Sequence, residues 1–204
     1  MPSFRFHGRV EKLEIARGHD GFLRGPPDPV LAVAVYVHDA STCRLLGRSL
    51  HRFRPSARMP SEVLPDVHPI ASGAIDANQD FRYLALVVAL EEDGGRDVQR
   101  LYGMLEHHRL LSVWDEAHSE VEPFSLLAVP RELAWFTPTP VDLIVDGASA
   151  STSCSSDKYI GAVCWAMQPR SDVPTAPLRP SVYRLPFLAA DRKNDWTALL
   201  SISH

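Results

Sequence analysis

The chain has 204 residues, 45% of them hydrophobic, with 17 prolines, 11 glycines and a formal net charge of −4. That is enough chain for a sizeable core, in one large domain or two small ones. The prolines argue against a helical bundle, and the negative balance excludes nucleic-acid binding through bulk electrostatics. Cys43, Cys154 and Cys164 are odd in number and contain no CxxC pair. They suggest reduced thiols in a cytoplasmic protein rather than a disulfide framework. The opening "MPSFRFHGRVEKLEIARG" is interrupted by charge and lacks the apolar run of a signal peptide or membrane anchor. Positive charge is mostly arginine, with lysine only at Lys12, Lys158 and Lys193. That composition suggests a GC-rich bacterial genome.

In chain order, Phe4–Val10 alternates with period two, and Val10–Ile15 continues in a strand-like way. "RGHDGFLRGPPDP" is a long loop, because glycine and proline crowd it. "VLAVAVYVHD" is β-branched and almost wholly apolar, as expected of a strand buried on both faces. "STCRLLGRSLHRFRP" reads as a turn and a further strand. "SARMPSEVLPDVHPIASGAIDANQD" is proline-punctuated and reads as irregular. "FRYLALVVALEED" is the clearest strand, closed by Gly94-Gly95. The period then changes: Val98, Leu101, Tyr102 and Leu105, with Leu110 further on, suit one face of an amphipathic helix over about 96–113. "FSLLAV" and "LAWF" are short strands or strand ends, "VDLIVD" is a strand, and "DGASASTSCSSD" is a serine-rich loop. "YIGAVCWAM" follows as a strand, then the proline-rich "QPRSDVPTAPLRP". "SVYRLPFLAA" and "DWTALLSIS" close the chain around the turn "DRKN". About eight strands and one helix predict a mainly β fold: an antiparallel two-sheet sandwich with one inserted amphipathic helix. The reading is one domain over 1–204, with the helix-bearing insertion at about 55–120.

Three stretches resemble a C2 domain, a family of calcium- and lipid-binding β-sandwiches. In "LEIARGHDGFLRGPPDPVLAVAVYV", Asp20 and Asp28-Pro29 stand where the family has a loop aspartate and a closing Asp-Pro. In "LIVDGASASTSCSSDKYIGAV", an apolar strand ends in Asp146, and Asp157-Lys158-Tyr159-Ile160-Gly161 opens the next strand. "DWTALLSIS" is similar to the closing strand. The departures are that Ala148 stands where a second acid is expected two positions after Asp146, and that both loops are long. The family pattern also leaves about 55–124 unexplained. The resemblance implies a C2-like sandwich with Asp20, Asp28, Asp146 and Asp157 at one end as ligands of Ca2+.

The physical case for calcium stands beside the family name. Calcium wants six to eight oxygens, several of them carboxylate, and sandwich loops cluster at the two ends. Ser149 and Ser151 could add neutral oxygens. The plainer reading is that Asp146-Gly147 and Asp28-Pro29 are ordinary turn pairs and that Asp157 caps the strand entry.

Arg48, Arg52 and Arg54 share one strand face by alternation, which suits a phosphate or an anionic lipid head group. A solvated face paired with Glu91, Glu92 and Asp93 is the preferred alternative. His107-His108 point apart on a helix, and neither HExxH nor a Gly-rich phosphate loop is present. Cys154 lies beside acids that make it a poor nucleophile, and no G-x-S-x-G elbow places a serine. The expectation is therefore a non-enzymatic interaction or structural module, a subunit or adaptor of a larger assembly, with a protein partner or self-assembly and no nucleic acid. The alternatives are calcium-dependent docking onto an anionic membrane surface or a protein partner, and an unrecognised hydrolase. Ala148, and the lack of membrane-inserting apolar residues in the serine-rich loop, favour the first.

Overall fold

Alternate residues of the run Val30–Val37 sit in two separate apolar clusters. Leu31, Val33, Val35 and Val37 join one; Val30, Ala32, Ala34 and Tyr36 join the other. A strand with no polar face needs a layer on each side, and the molecule is built to supply both.

The computed structural model describes residues 3–18, 26–38, 43–56, 58–76, 82–94, 96–106, 111–114, 139–145, 148–149, 157–167, 181–189 and 191–203. They form β1 (Ser3–Arg17), β2 (Pro29–His38), β3 (Cys43–Arg52), β4 (Ser61–Val63), β5 (Pro69–Asp76) and β6 (Arg82–Glu91). There follow α1 (Arg96–Met104), β7 (Leu111–Trp114), β8 (Thr139–Val145), β9 (Ala148–Ser149), β10 (Lys158–Met167), β11 (Ser181–Leu188) and β12 (Asp195–Ser203). The chain is mainly β: two antiparallel sheets form a sandwich, and α1 lies on the outer face of one of them. The first sheet runs β11-β12-β1, with β4 and β5 in succession along the far side of β1. The second runs β3-β2-β6-β10-β8-β7, with β9 also paired to β8.

The inner faces meet in one cluster. Trp196, Phe53, Phe187, Leu13, Ile15 and Leu31 are each no more than 2% exposed there. Fully burying a side chain of this kind stabilises by about 1.5–3 kcal/mol. Two bulges keep the inward residues in phase. In β1 the pairing with β12 shifts between Val10 and Lys12, so Val10, Leu13 and Ile15 all point inward although their spacing breaks strict alternation. In β10 the shift falls between Tyr159 and Gly161; Ile160 and Val163 then both face the inner core. At the end of β1, a Cβ on Gly18 would stand 2.6 Å from Pro27 Cγ, so a glycine is what lets β1 pass the residues leading into β2.

The second cluster lies outside the second sheet. Val98, Leu101 and Leu105 of α1 and its end pack over Ala32, Ala34, Val88, Leu90 and Ala162. The helix is shorter than its apolar period suggests: it ends at Met104, and Leu111–Trp114 is strand β7, paired to β8. Gly103 weakens the last turn, and Val113 and Trp114 suit a strand once a partner is beside them. The stretch read as irregular contains β4 and β5, both on β1. Small residues and prolines hide them, because strands at a sheet edge need no long apolar alternation. The span 55–120 thus contributes β4, β5, β6 and β7 as well as the helix. The strands expected at "FSLLAV" and "LAWF", and the proline-rich excursion, lie outside the described residues.

Candidate functional site

Strand pairing gathers three chain segments at one end of the second sheet. Glu91, the last residue of β6, pairs with Pro29 at the start of β2 and with Lys158 at the start of β10. Asp28 and Asp157, each one residue before those strands, therefore share this end. Asp28 is exposed, and its carbonyl accepts the Glu92 N–H at 2.9 Å. Asp20 and Asp146 lie outside the described residues.

Asp157 is buried, and its carboxylate accepts three backbone N–H groups. Oδ1 takes those of Asp93 at 2.9 Å and Gly94 at 2.8 Å; Oδ2 takes that of Val98 at 2.8 Å. Val98 is the third residue of α1, so Asp157 satisfies a donor that a local N-cap side chain would normally take. The Asp157 N–H in turn donates to Asp97 Oδ2 at 3.2 Å. This aspartate fastens the β6–α1 turn and the helix start to the head of β10. Beside it, the buried Glu91 accepts from Asn194 Nδ2 at 3.2 Å, and Lys158 stands between Glu91 at 3.9 Å and Asp191 at 3.3 Å. Asn194 belongs to the turn before β12, so this contact ties the two sheets together at the same end. No group of three or more His, Cys, Asp or Glu able to hold a metal occurs among the described residues.

The arginines of β3 reach different partners. Arg48 lies over the Tyr102 ring at 4.4 Å, donates to the Tyr102 carbonyl, and pairs with Glu106 at 2.8 Å. Arg52 makes a two-pronged pair with Glu92, at 2.8 and 2.9 Å, the geometry that makes Arg–carboxylate bonds strong. The Glu92 carboxylate beside it holds the Arg52 guanidinium above its ordinary range. Arg54 is exposed. Of the acids expected opposite these arginines, Glu92 takes Arg52, Glu91 takes Lys158 and Asn194, and the Asp93 N–H goes to Asp157.

A further pair, Ser49 and His51, escaped the sequence reading. Two apart on β3, they share a face, and Ser49 Oγ lies 2.7 Å from His51 Nε2. His51 Nδ1 lies 2.6 Å from the Val67 carbonyl. A carbonyl only accepts, so Nδ1 carries the proton and Nε2 is left to accept from the Ser49 hydroxyl. The ring is wholly buried, and burial pushes its pKa down. The only hint in "GRSLHRF" was the period-two spacing of two polar groups on a strand. Cys164 is buried too, and burial pushes its thiol up to about 12. No helix among the described residues is long and apolar enough to cross a membrane. No family model, curated protein or solved structure matches the chain.

Proposed function

We propose that this protein is a non-enzymatic interaction or structural module built on a C2-like sandwich, serving as a subunit or adaptor of a larger protein assembly. The observation that carries this reading is strand β11. It pairs with β12 on one side and, among the described residues, with no strand on the other. Its outward positions present Val182 at 60% and Leu188 at 52% exposure, with Arg184 between them. Exposed apolar side chains along a sheet edge mark a surface for a protein partner. The test is the size of the native complex in extracts of source cells, followed with an antibody to the chain. Wild type should migrate well above the monomer, and the double variant Val182→Glu/Leu188→Glu should migrate as monomer with an unchanged Tm. Monomeric wild type in the native extract would reject the proposal.

Two other readings each have one specific observation in their favour. For calcium-dependent docking onto anionic lipid or a protein, it is the shared end of Asp28 and Asp157. A Tm unchanged by millimolar Ca2+ would reject that reading, because a ligand that binds only the folded state must raise Tm. For a hydrolase it is the Ser49–His51 hydrogen bond, which has the geometry of a nucleophile beside its base. Covalent labelling of Ser49 by a fluorophosphonate, lost in His51→Asn, would support it; an unlabelled Ser49 would exclude it. The same bond also satisfies a buried imidazole, which is why the first reading is the conclusion.

A further inference from the structure

The segment 64–68, between β4 and β5, leaves the first sheet and returns to it, and on the way is fastened to both sheets. Toward the second sheet, Pro65 bridges Phe53, the Asp66 N–H donates to the Arg52 carbonyl at 2.9 Å, and Asp66 Oδ1 accepts the Arg52 N–H at 2.9 Å. Toward the first sheet, the Val10 N–H donates to the His68 carbonyl at 2.8 Å, and His68 Nδ1 donates back to the Val10 carbonyl at 2.8 Å. The Leu64 and Val67 side chains point outward, 66% and 50% exposed. Pro65 alone of this strap is buried; the rest of its attachment is made by hydrogen bonds. At its centre the buried His51 ring donates to the Val67 carbonyl while accepting from Ser49.

We propose that His51 is an acid-sensitive latch: taking up a proton there releases segment 64–68 from β3 and opens this side of the sandwich while the rest of the fold persists. The closed strap leaves the ring no water to solvate a charge, and both its nitrogens are already engaged by neutral groups. A protonated Nε2 could no longer accept from Ser49. The titratable groups acting on the ring are Asp66, which favours its protonation, and His68, which opposes it when charged. The Arg52 guanidinium is held by Glu92. Desolvation outweighs these influences and holds the closed ring below the ordinary histidine value. The sign follows. Above the ordinary value, about 6.5, both open and closed forms are neutral, and the strap has its full stability. As the pH falls below it the open form gains a proton that the closed form refuses, so opening becomes progressively more favourable.

The test is amide hydrogen exchange of the full chain at pH 7.5 and pH 5, corrected for intrinsic exchange. The expected result is at least a tenfold loss of protection at Asp66, with the α1 amides of Val98 and Leu101 unchanged. His51→Asn keeps a donor near Nδ1 without a titrating ring, and should lose the pH dependence. His68→Asn should keep it. Should either variant fail to fold, ring NMR of wild-type His51 decides, because its titration must track the exchange change. Equal protection of Asp66 at both pH values, or the same pH response in His51→Asn, would overturn the latch.

Discussion

On the outer face of the first sheet, Arg184, Glu14, Lys12 and Glu62 form a chain of ion pairs running from β11 to β4, with separations of 2.6, 3.1 and 2.8 Å. The Arg184 guanidinium holds the Glu14 carboxyl below its usual range, and the Glu62 carboxylate holds Lys12 above its own. On the outer face of the second sheet, Ala32, Ala34, Val88 and Ala162 are almost fully enclosed, and α1 supplies apolar side chains to the same cluster. The contrast shows what the helix is for. Over β1 and β4 the first sheet ends in charged side chains that water can solvate, so that part needs no third layer. The second presents apolar residues on both sides and must be covered.

The dry face should be far more sensitive to mutation than the wet one, and the largest effect belongs to α1. Leu101→Ala should cost about 3 kcal/mol, through lost burial and the cavity left behind. It is read from the denaturant midpoint at constant m-value, and a loss no larger than that of a surface variant would break the comparison. Asp157→Ala comes next, at about 2 kcal/mol, because it removes the charged acceptor of three backbone N–H groups. Its signature is local: exchange at Val98 should rise before exchange in β2.

Cys164 sharpens the contrast without a mutation in the face. Its thiol should react with a maleimide only when the chain unfolds, as shown by peptide mass spectrometry. Because burial raises its folded value, its contribution to stability is complete below the unfolded thiol value. That contribution should fade as the pH rises past about 8.5, and Cys164→Ala should remove this part of the alkaline decline. The smallest effect belongs to the wet face. Glu14→Gln should shift the midpoint only slightly, and the shift should vanish in 1 M salt, where screening acts over about 3 Å. A salt-resistant loss at Glu14 would mean that this face is not simply solvated.

The sandwich and its helix were legible because they rest on patterns a sequence displays. Two-faced apolar runs mark β2 and β6, and a change of period marks α1. The bulges were not legible: nothing in Val10–Lys12 announces that a residue is skipped, and only pairing with β12 reveals it. β4 and β5 were missed because edge pairing with β1, not their own pattern, makes them strands. Of the candidate site, Asp157 was singled out as an acidic position, and its place at the shared end with Asp28 follows from strand order. Its partners did not show in the sequence, because backbone donors carry no residue signature. The Arg52–Glu92 pair was foreseen as charge neighbours; Arg48 was not, since its stacking on Tyr102 depends on where α1 docks. His51 was invisible because its orienting partner is the carbonyl of Val67.

The aspartate that completes the start of α1 lies 59 positions downstream of Val98. A helix of nine residues is too short to persist in water by itself. During synthesis, α1 must therefore leave the ribosome well ahead of the residue that secures it. Nascent chains halted before Asp157 should leave α1 open to protease at Arg96 and Arg100, whereas chains extended through β12 should not. The order of translation thus sets an interval in which the apolar side of β2 and β6 has no finished cover, and that interval is where a chaperone would be needed.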